Sequence, residues 1–182
     1  MQPGIGAFTW VTERCDASRL AGTVPVALFV TMKLTPRRLQ FLLNVYPPYW
    51  ATGIRVTHVA RDWREAHVEL KLCWYNRNAV GTHFGGNLYS MVDPWLMLLL
   101  IQLLGPDYVV WDRSASIDFK RPGTGLVRAT IRIDDEALIA MRRETEQGAA
   151  YRHEFDISIL GEQDEVVAVV RKTLHVRRRR AA

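Results

Sequence analysis

Asp93 is the single charged residue in Gly86–Leu104, a nineteen-residue stretch that is otherwise almost entirely apolar. Seven apolar residues follow one another from Trp95 to Ile101. A carboxylate in such a setting either caps a helix end or performs chemistry, accepting a proton or attacking as a nucleophile. Directly upstream lies Gly81-Thr82-His83-Phe84-Gly85, whose glycines permit a tight turn. Gly86, then Tyr89 or Ser90, then Asp93 recur at a spacing that places them on one helix face. Asp93-Pro94 also reads as an N-cap followed by a first-position proline, in which case the helix starts at Pro94. The other arrangement buries Pro94 within the helix, where it removes the bond to the Ser90 carbonyl and bends the axis.

A helix that is apolar all round must be wrapped by protein or lipid. Spanning a bilayer takes roughly 20 predominantly apolar residues, and Asp93-Pro94 leaves only Trp95–Leu104 uninterrupted. The other apolar run, Val24–Val30, has neither a basic start nor a small-residue cleavage site. A cytoplasmic protein with a buried central helix is therefore expected, with no membrane partner. The two cysteines, Cys15 and Cys73, have no metal spacing and are too few for a disulfide framework. His58, His67, His153 and His175 fall on separate segments without ligand spacing, so neither metal nor cofactor is expected. Of the net charge of +5, four charges come from Arg177-Arg178-Arg179-Arg180, which leaves a nearly neutral body. That tail lacks interleaved aromatic residues, and no nucleic-acid partner is expected.

The surrounding segments alternate with period two. Val68, Leu70 and Leu72 form one series, Val127, Ala129, Ile131 and Ile133 a second, and Phe155, Ile157 and Ile159 a third. Such alternation predicts antiparallel strands with one buried face. Further strands are expected at Ile54–Val59 and Val166–Val176, and another ending at Ile117-Asp118-Phe119-Lys120. Arg61–Arg64, Arg121–Gly125 and Gly161–Asp164 read as hairpin turns. A helix should open at Thr35-Pro36, run through Leu39, Leu42 and Leu43, and end at Pro47-Pro48. Another should cover Asp135–Gln147 and stop at Gly148. An α+β domain follows, the hotdog fold, in which an antiparallel sheet wraps one long apolar helix. Its expected span is 32–176, after an N-terminal extension (1–31) and before a basic tail (177–182).

The run Asn78-Ala79-Val80-Gly81-Thr82-His83-Phe84-Gly85-Gly86, followed by Asp93, resembles the signature of hotdog thioesterases of the phenylacetate-degradation (PaaI) type. Those carry N-x-x-G-x-x-H-G-G and then an acid in the second turn of the central helix. From Leu34 to about Val176 the chain is most similar to a bacterial branch of that superfamily described only as a domain of unknown function. Pro47-Pro48-Tyr49, Trp74–Asn78, Asp93-Pro94 and Gly105–Tyr108 carry this narrower likeness.

The resemblance implies that the Gly85 N–H stabilises an oxyanion, that Asn78 helps to hold the same carbonyl, and that Asp93 is general base or nucleophile. It also implies a homodimer or tetramer, since related dimers take the acid and the oxyanion hole from opposite subunits. The family histidine falls on Phe84, with His83 beside it but about 100° further round. Asp112 stands where some relatives carry a water-orienting serine or threonine; pairing with Arg113 or Arg121 is the alternative reading. Lys120 and Arg121 are expected near coenzyme A phosphates, and His83, Phe84 and Gly86 near the substrate. The function implied is hydrolysis of an acyl-CoA or acyl-carrier thioester. The missing histidine leaves an alternative, a weakly active acyl-CoA-binding protein. A hotdog dehydratase is a third reading.

Overall fold

The computed structural model describes residues 34–179. The expected N-terminal extension, the Val24–Val30 run, Cys15 and the last three residues of the tail lie outside them. Helix α1 (Pro36–Val45) opens as the sequence predicts, with the Thr35 side chain accepting from the Arg38 N–H at 3.3 Å and Pro36 in the first turn. Pro47-Pro48 does end it. The same prolines then start a second short helix, α2 (Pro47–Thr52), closed by Gly53 at φ 78°. Proline suits a helix start as well as a helix stop, because its missing N–H falls among donors that are unpaired anyway.

Strands β1 (Ile54–Val59) and β2 (Glu65–Lys71) form a hairpin. Next come α3 (Gly85–Ser90) and α4 (Trp95–Leu104), then β3 (Tyr108–Phe119), β4 (Leu126–Arg132), α5 (Asp135–Glu144), β5 (Ala150–Leu160) and β6 (Val166–Arg178). Helix α5 is capped by Asp134 and carries acids in its first turn and arginines in its last, in accord with the helix dipole. It ends at Glu144, three residues before the expected Gln147, and Gly148 turns the chain at φ 77°.

The six strands of the described residues are antiparallel, in the order β1-β2-β4-β5-β6-β3. This order corrects the reading of Arg121–Gly125 as a hairpin turn. β3 pairs with β6 at one edge of the sheet, so that loop carries the chain across to β4. Pro-Gly chemistry serves a crossing loop as well as a hairpin.

The central helical region packs against β3 and β4. Leu88, Met91, Val92, Trp95, Leu96, Leu99 and Leu100 are each at most 2 % exposed. Gly85–Leu104 is long and apolar enough to cross a membrane, but here one face of it is buried in the core while Met97, Leu98, Ile101 and Leu103 stay partly exposed. Pro94 interrupts the helix: Met91–Pro94 forms a turn, and α4 restarts with Leu98 N–H on the Pro94 carbonyl at 3.0 Å.

Candidate active site

The signature loop is a self-bonded unit. The Asn78 carboxamide accepts from the Val80 and Thr82 N–H groups, both at 3.1 Å, and donates to Thr82 Oγ1 at 2.9 Å. Asn78 thus shapes the loop that delivers Gly85, and its amide is committed there. His83 is buried, with its N–H on the Gly123 carbonyl and its Nε2 3.0 Å from the Gly125 carbonyl. Burial pushes this imidazole below its ordinary range, and the Gly125 bond opposes that shift only in part.

Phe84 is 55 % exposed and serves as the N-cap of α3 without a side-chain bond. Among the described residues, the N–H groups of Gly85 and Gly86 find no acceptor. Unpaired donors at a helix start favour negative charge in front of them. Two rings flank these glycines. A Cβ on Gly85 would lie 2.8 Å from Phe119 Cζ, and one on Gly86 2.5 Å from Phe84 Cε1. In front of Gly85 is a cavity of about 490 Å³, lined by Asn78, His83, Leu88, Phe119, Lys120 and Arg121 among others. A larger hollow of about 820 Å³ lies beside β1 under Trp50 and Tyr75; of the signature it holds nothing.

Asp93 and Asp112 form a second group. Tyr89 Oη donates to Asp93 Oδ1 at 2.6 Å, as the shared helix face predicts. Asp93 is therefore not an N-cap of α4, which has no side-chain cap. Lys172 on β6, fully buried, reaches Asp93 Oδ1 at 3.1 Å and Asp112 Oδ2 at 3.0 Å, and also bonds the Asp93 carbonyl. The alternative reading, in which Asp112 pairs with Arg113 or Arg121, gives way to Lys172. Asp112 occupies an inward position of β3 beside β6, and the lysine meets it there. Burial raises the Asp112 carboxyl above the usual carboxylate range; Lys172 works against the shift and Asp93 adds to it. Burial and the bond to Asp93 likewise raise the Tyr89 phenol.

Asn78, His83, Gly85, Lys120 and Arg121 thus meet around one cavity, with Phe84 and Gly86 at its glycine end. Asp93 and Asp112 meet elsewhere, and neither lines that cavity. Asp93 lies eight positions after Gly85, about 12 Å along a helix. Lys172 was not among the sequence candidates. Its signal is present nonetheless: it takes the place of an apolar residue in the inward series Val170, Leu174, Val176. Among the described residues, no group of three His, Cys, Asp or Glu side chains is arranged to hold a metal ion.

An antiparallel sheet curled around a central helix, with a glycine pair at the helix start and an acid two turns on, defines a protein of the hotdog fold. Within it, the chain belongs to the family described as Domain of unknown function (DUF4442), whose pattern matches residues 37–176. Comparison with curated proteins gives no match. Among solved structures, a Pseudomonas aeruginosa protein of unknown function described as a probable thioesterase is similar over 79 % of this chain and 96 % of its own, at 21 % identity and a TM-score of 0.67. A Haemophilus influenzae thioesterase shares 16 % identity over 82 % of this chain and 95 % of its own, with a TM-score of 0.58. The E. coli PaaI protein of the phenylacetic acid degradation operon shares 20 % identity over 76 % of this chain and 90 % of its own, with a TM-score of 0.55. At these identities the likeness establishes the fold.

Proposed function

We propose that this protein hydrolyses acyl thioesters, with acyl-CoA as the substrate class. The observation that carries the reading is the pairing, on one helical unit, of unpaired N–H groups at Gly85 and Gly86 with a half-exposed carboxylate at Asp93. Water attacks the thioester carbonyl carbon and gives its proton to Asp93. The Gly85 N–H takes the developing negative charge, for which such a donor contributes about 3 kcal/mol. The C–S bond then breaks, the thiolate takes a proton, and a carboxylic acid and a free thiol leave. Lys120 and Arg121 on the cavity rim suit the phosphates of coenzyme A, and Phe119 and Leu88 suit its acyl or pantetheine portion.

Because the acid does not line the cavity in its own chain, the reading calls for a homodimer, alone or doubled into a tetramer. In it the Asp93 of one copy serves the Gly85 cavity of the other. β3 supports this arrangement: among the described residues it is a twelve-residue edge strand paired on one side only, and such edges invite a second chain.

The test is thiol release from acyl-CoAs of graded length by wild type and Asp93→Asn. The variant keeps an oxygen for Tyr89 and Lys172, so the fold is expected to survive while turnover falls by about 10²–10⁴-fold. Turnover near the wild-type level in Asp93→Asn would sink the mechanism. Phe84, in place of the family histidine, favours a second reading as a weakly active acyl-CoA-binding protein. Saturable binding of acyl-CoA by wild type, with no thiol released, would select it.

A further inference from the structure

Lys172 is fully buried, yet it is the cation of a cluster that holds two carboxylates. The bonds are distributed unevenly over the oxygens. Asp93 Oδ1 receives both the Tyr89 hydroxyl and the Lys172 ammonium, and among the described residues Asp93 Oδ2 receives nothing. Asp112 is held through Oδ2, and among the described residues its buried Oδ1 has no partner. A carboxylate anchored at one oxygen can turn only about its fixed bond, so the other oxygen is aimed rather than free.

Charge counting agrees. Two carboxylates against one ammonium leave one uncompensated negative charge, poorly screened on the Lys172–Asp112 side and open to water on the Asp93 side. Few other ionisable groups face the cluster. Tyr89 comes from α3, its ring centroid 5.9 Å from Lys172 Nζ. Tyr49 comes from α2 and spends its hydroxyl on the Met91 carbonyl. The β5 residue in register with Lys172 is Phe155; His153, one inward position along, is displaced downward mainly by burial, which Asp134 and Glu154 oppose. On β3 the residue in register with Lys172 is Ala115.

We infer that Lys172 is a positioning residue: its ammonium fixes one oxygen of Asp93 and one of Asp112, so that Asp93 presents its other oxygen to water and the pair keeps one negative charge for that water's proton. The inference rests on the thioesterase reading for its catalytic consequence, but the anchoring itself is measurable without turnover. The proton leaves water for Asp93 Oδ2, giving a neutral acid beside a Lys172–Asp112 ion pair, and passes on to the departing thiolate. No other reactant is needed.

The experiment compares wild type with Lys172→Met, Asp112→Asn and the charge-balanced Lys172→Met/Asp112→Asn variant, in two readouts. The first is the pH dependence of kcat and kcat/KM with an acyl-CoA. In Lys172→Met kcat should fall by about 100-fold from loss of aim, with KM changed little. Two carboxylates without their cation repel, so the acid limb should move up by at least about one pH unit. The double variant restores the charge count and should bring that limb back towards wild type. It also keeps the experiment readable should the single variant fail to fold.

The second readout is the titration of the labelled carboxyl carbons of Asp93 and Asp112 by NMR. A lysine that merely fills the core would lower kcat while leaving the limb and both titrations in place, and that result overturns the inference. An acid limb that stays displaced in the double variant also overturns it. Displaced titrations in Lys172→Met without thiol release by wild type would uphold the anchoring and sink the thioesterase reading alone.

Discussion

Gly85→Ala separates the cavity from the fold. The glycine has no left-handed φ, so alanine meets no backbone penalty there and gains up to about 1 kcal/mol of helix propensity. Its Cβ would lie 2.8 Å from Phe119 Cζ and 3.2 Å from Cε1. Carbon pairs prefer about 3.5–4.0 Å, so the ring must withdraw by roughly 1 Å. Phe119 is 52 % exposed at the end of an edge strand, and the atom that clashes is the far end of its side chain. The ring can swing outward, at a cost of about 1 kcal/mol. The two terms nearly cancel, and the melting temperature should move by no more than about 5 °C.

The cavity fares worse. A methyl group and a displaced ring now stand before the Gly85 N–H, and a misplacement of about 1 Å costs about 100-fold in rate, close to 2.7 kcal/mol. The assay is thiol release beside thermal unfolding. Mixing Gly85→Ala with Asp93→Asn sharpens it. If each site joins the cavity of one copy to the acid of the other, a mixed dimer holds one intact and one doubly defective site. Random reassortment should then restore about a quarter of wild-type activity. Wild-type turnover in Gly85→Ala would show that the carbonyl is not held there. Failure of the mixture to exceed its components, with reassortment verified by mass, would refute the shared site.

Two further outcomes follow from the same loop. Because burial holds His83 below its ordinary 6.5, the fold favours the neutral ring. That stability is present above the unfolded pKa and is lost as pH falls through 6.5 towards the lowered folded value. His83→Gln retains a donor for the Gly125 carbonyl, so it should flatten the fall in melting temperature between about pH 7 and about pH 5. His153 and His175, displaced in the same direction mainly by burial, will leave a residual slope; an unchanged slope would show that His83 is not a contributor. Phe84→His places the family residue on a half-exposed ring position, where the fold should tolerate it. Turnover should rise about 3–10-fold as the leaving thiolate gains a proton donor, and steady-state kinetics showing no gain would remove the leaving-group role from this position.

What the sequence made legible was set by whether a residue's neighbours along the chain share its fate. Thr35-Pro36 names a helix start because cap and first turn are local, and the alternating series in β2, β4 and β5 declare their buried face in the same way. β3 was legible only near its end. As an edge strand it is largely exposed along much of its length, so Trp111–Ser116 shows no clean alternation. Arg121–Gly125 was misread because turn residues report a change of direction and not the strand the chain will join. The glycine pair and Asp93 were found through the resemblance of Asn78–Gly86 to the thioesterase signature, with helical spacing placing Asp93 on the same face as Gly86. Lys172 was not, since its meaning depends on Asp93, seventy-nine residues away, and on Asp112 across the β3–β6 ladder. A lysine inside an apolar series reads as an exception until its partners are known.

The sheet is uneven in its lacing. β5 and β6 keep register from Ala150 to Ile159, and β2 and β4 along the whole of β2, yet β4 and β5 pair only where Arg128 faces Leu160 and Ala129 faces Ile159. The layer is therefore two stiff leaves, β1-β2-β4 and β5-β6-β3, joined by a narrow seam. Bending concentrates there, which lets a sheet of ordinary twist close around a helix without straining either leaf. It also divides cooperativity. The Asp93-binding lysine and Asp112 ride on the second leaf, whereas the Gly123–Gly125 segment that seats His83 bridges from one leaf to the other. Breathing at the seam would loosen the cavity wall while leaving the charge cluster clamped, giving the two parts of the site separate lifetimes within one native state.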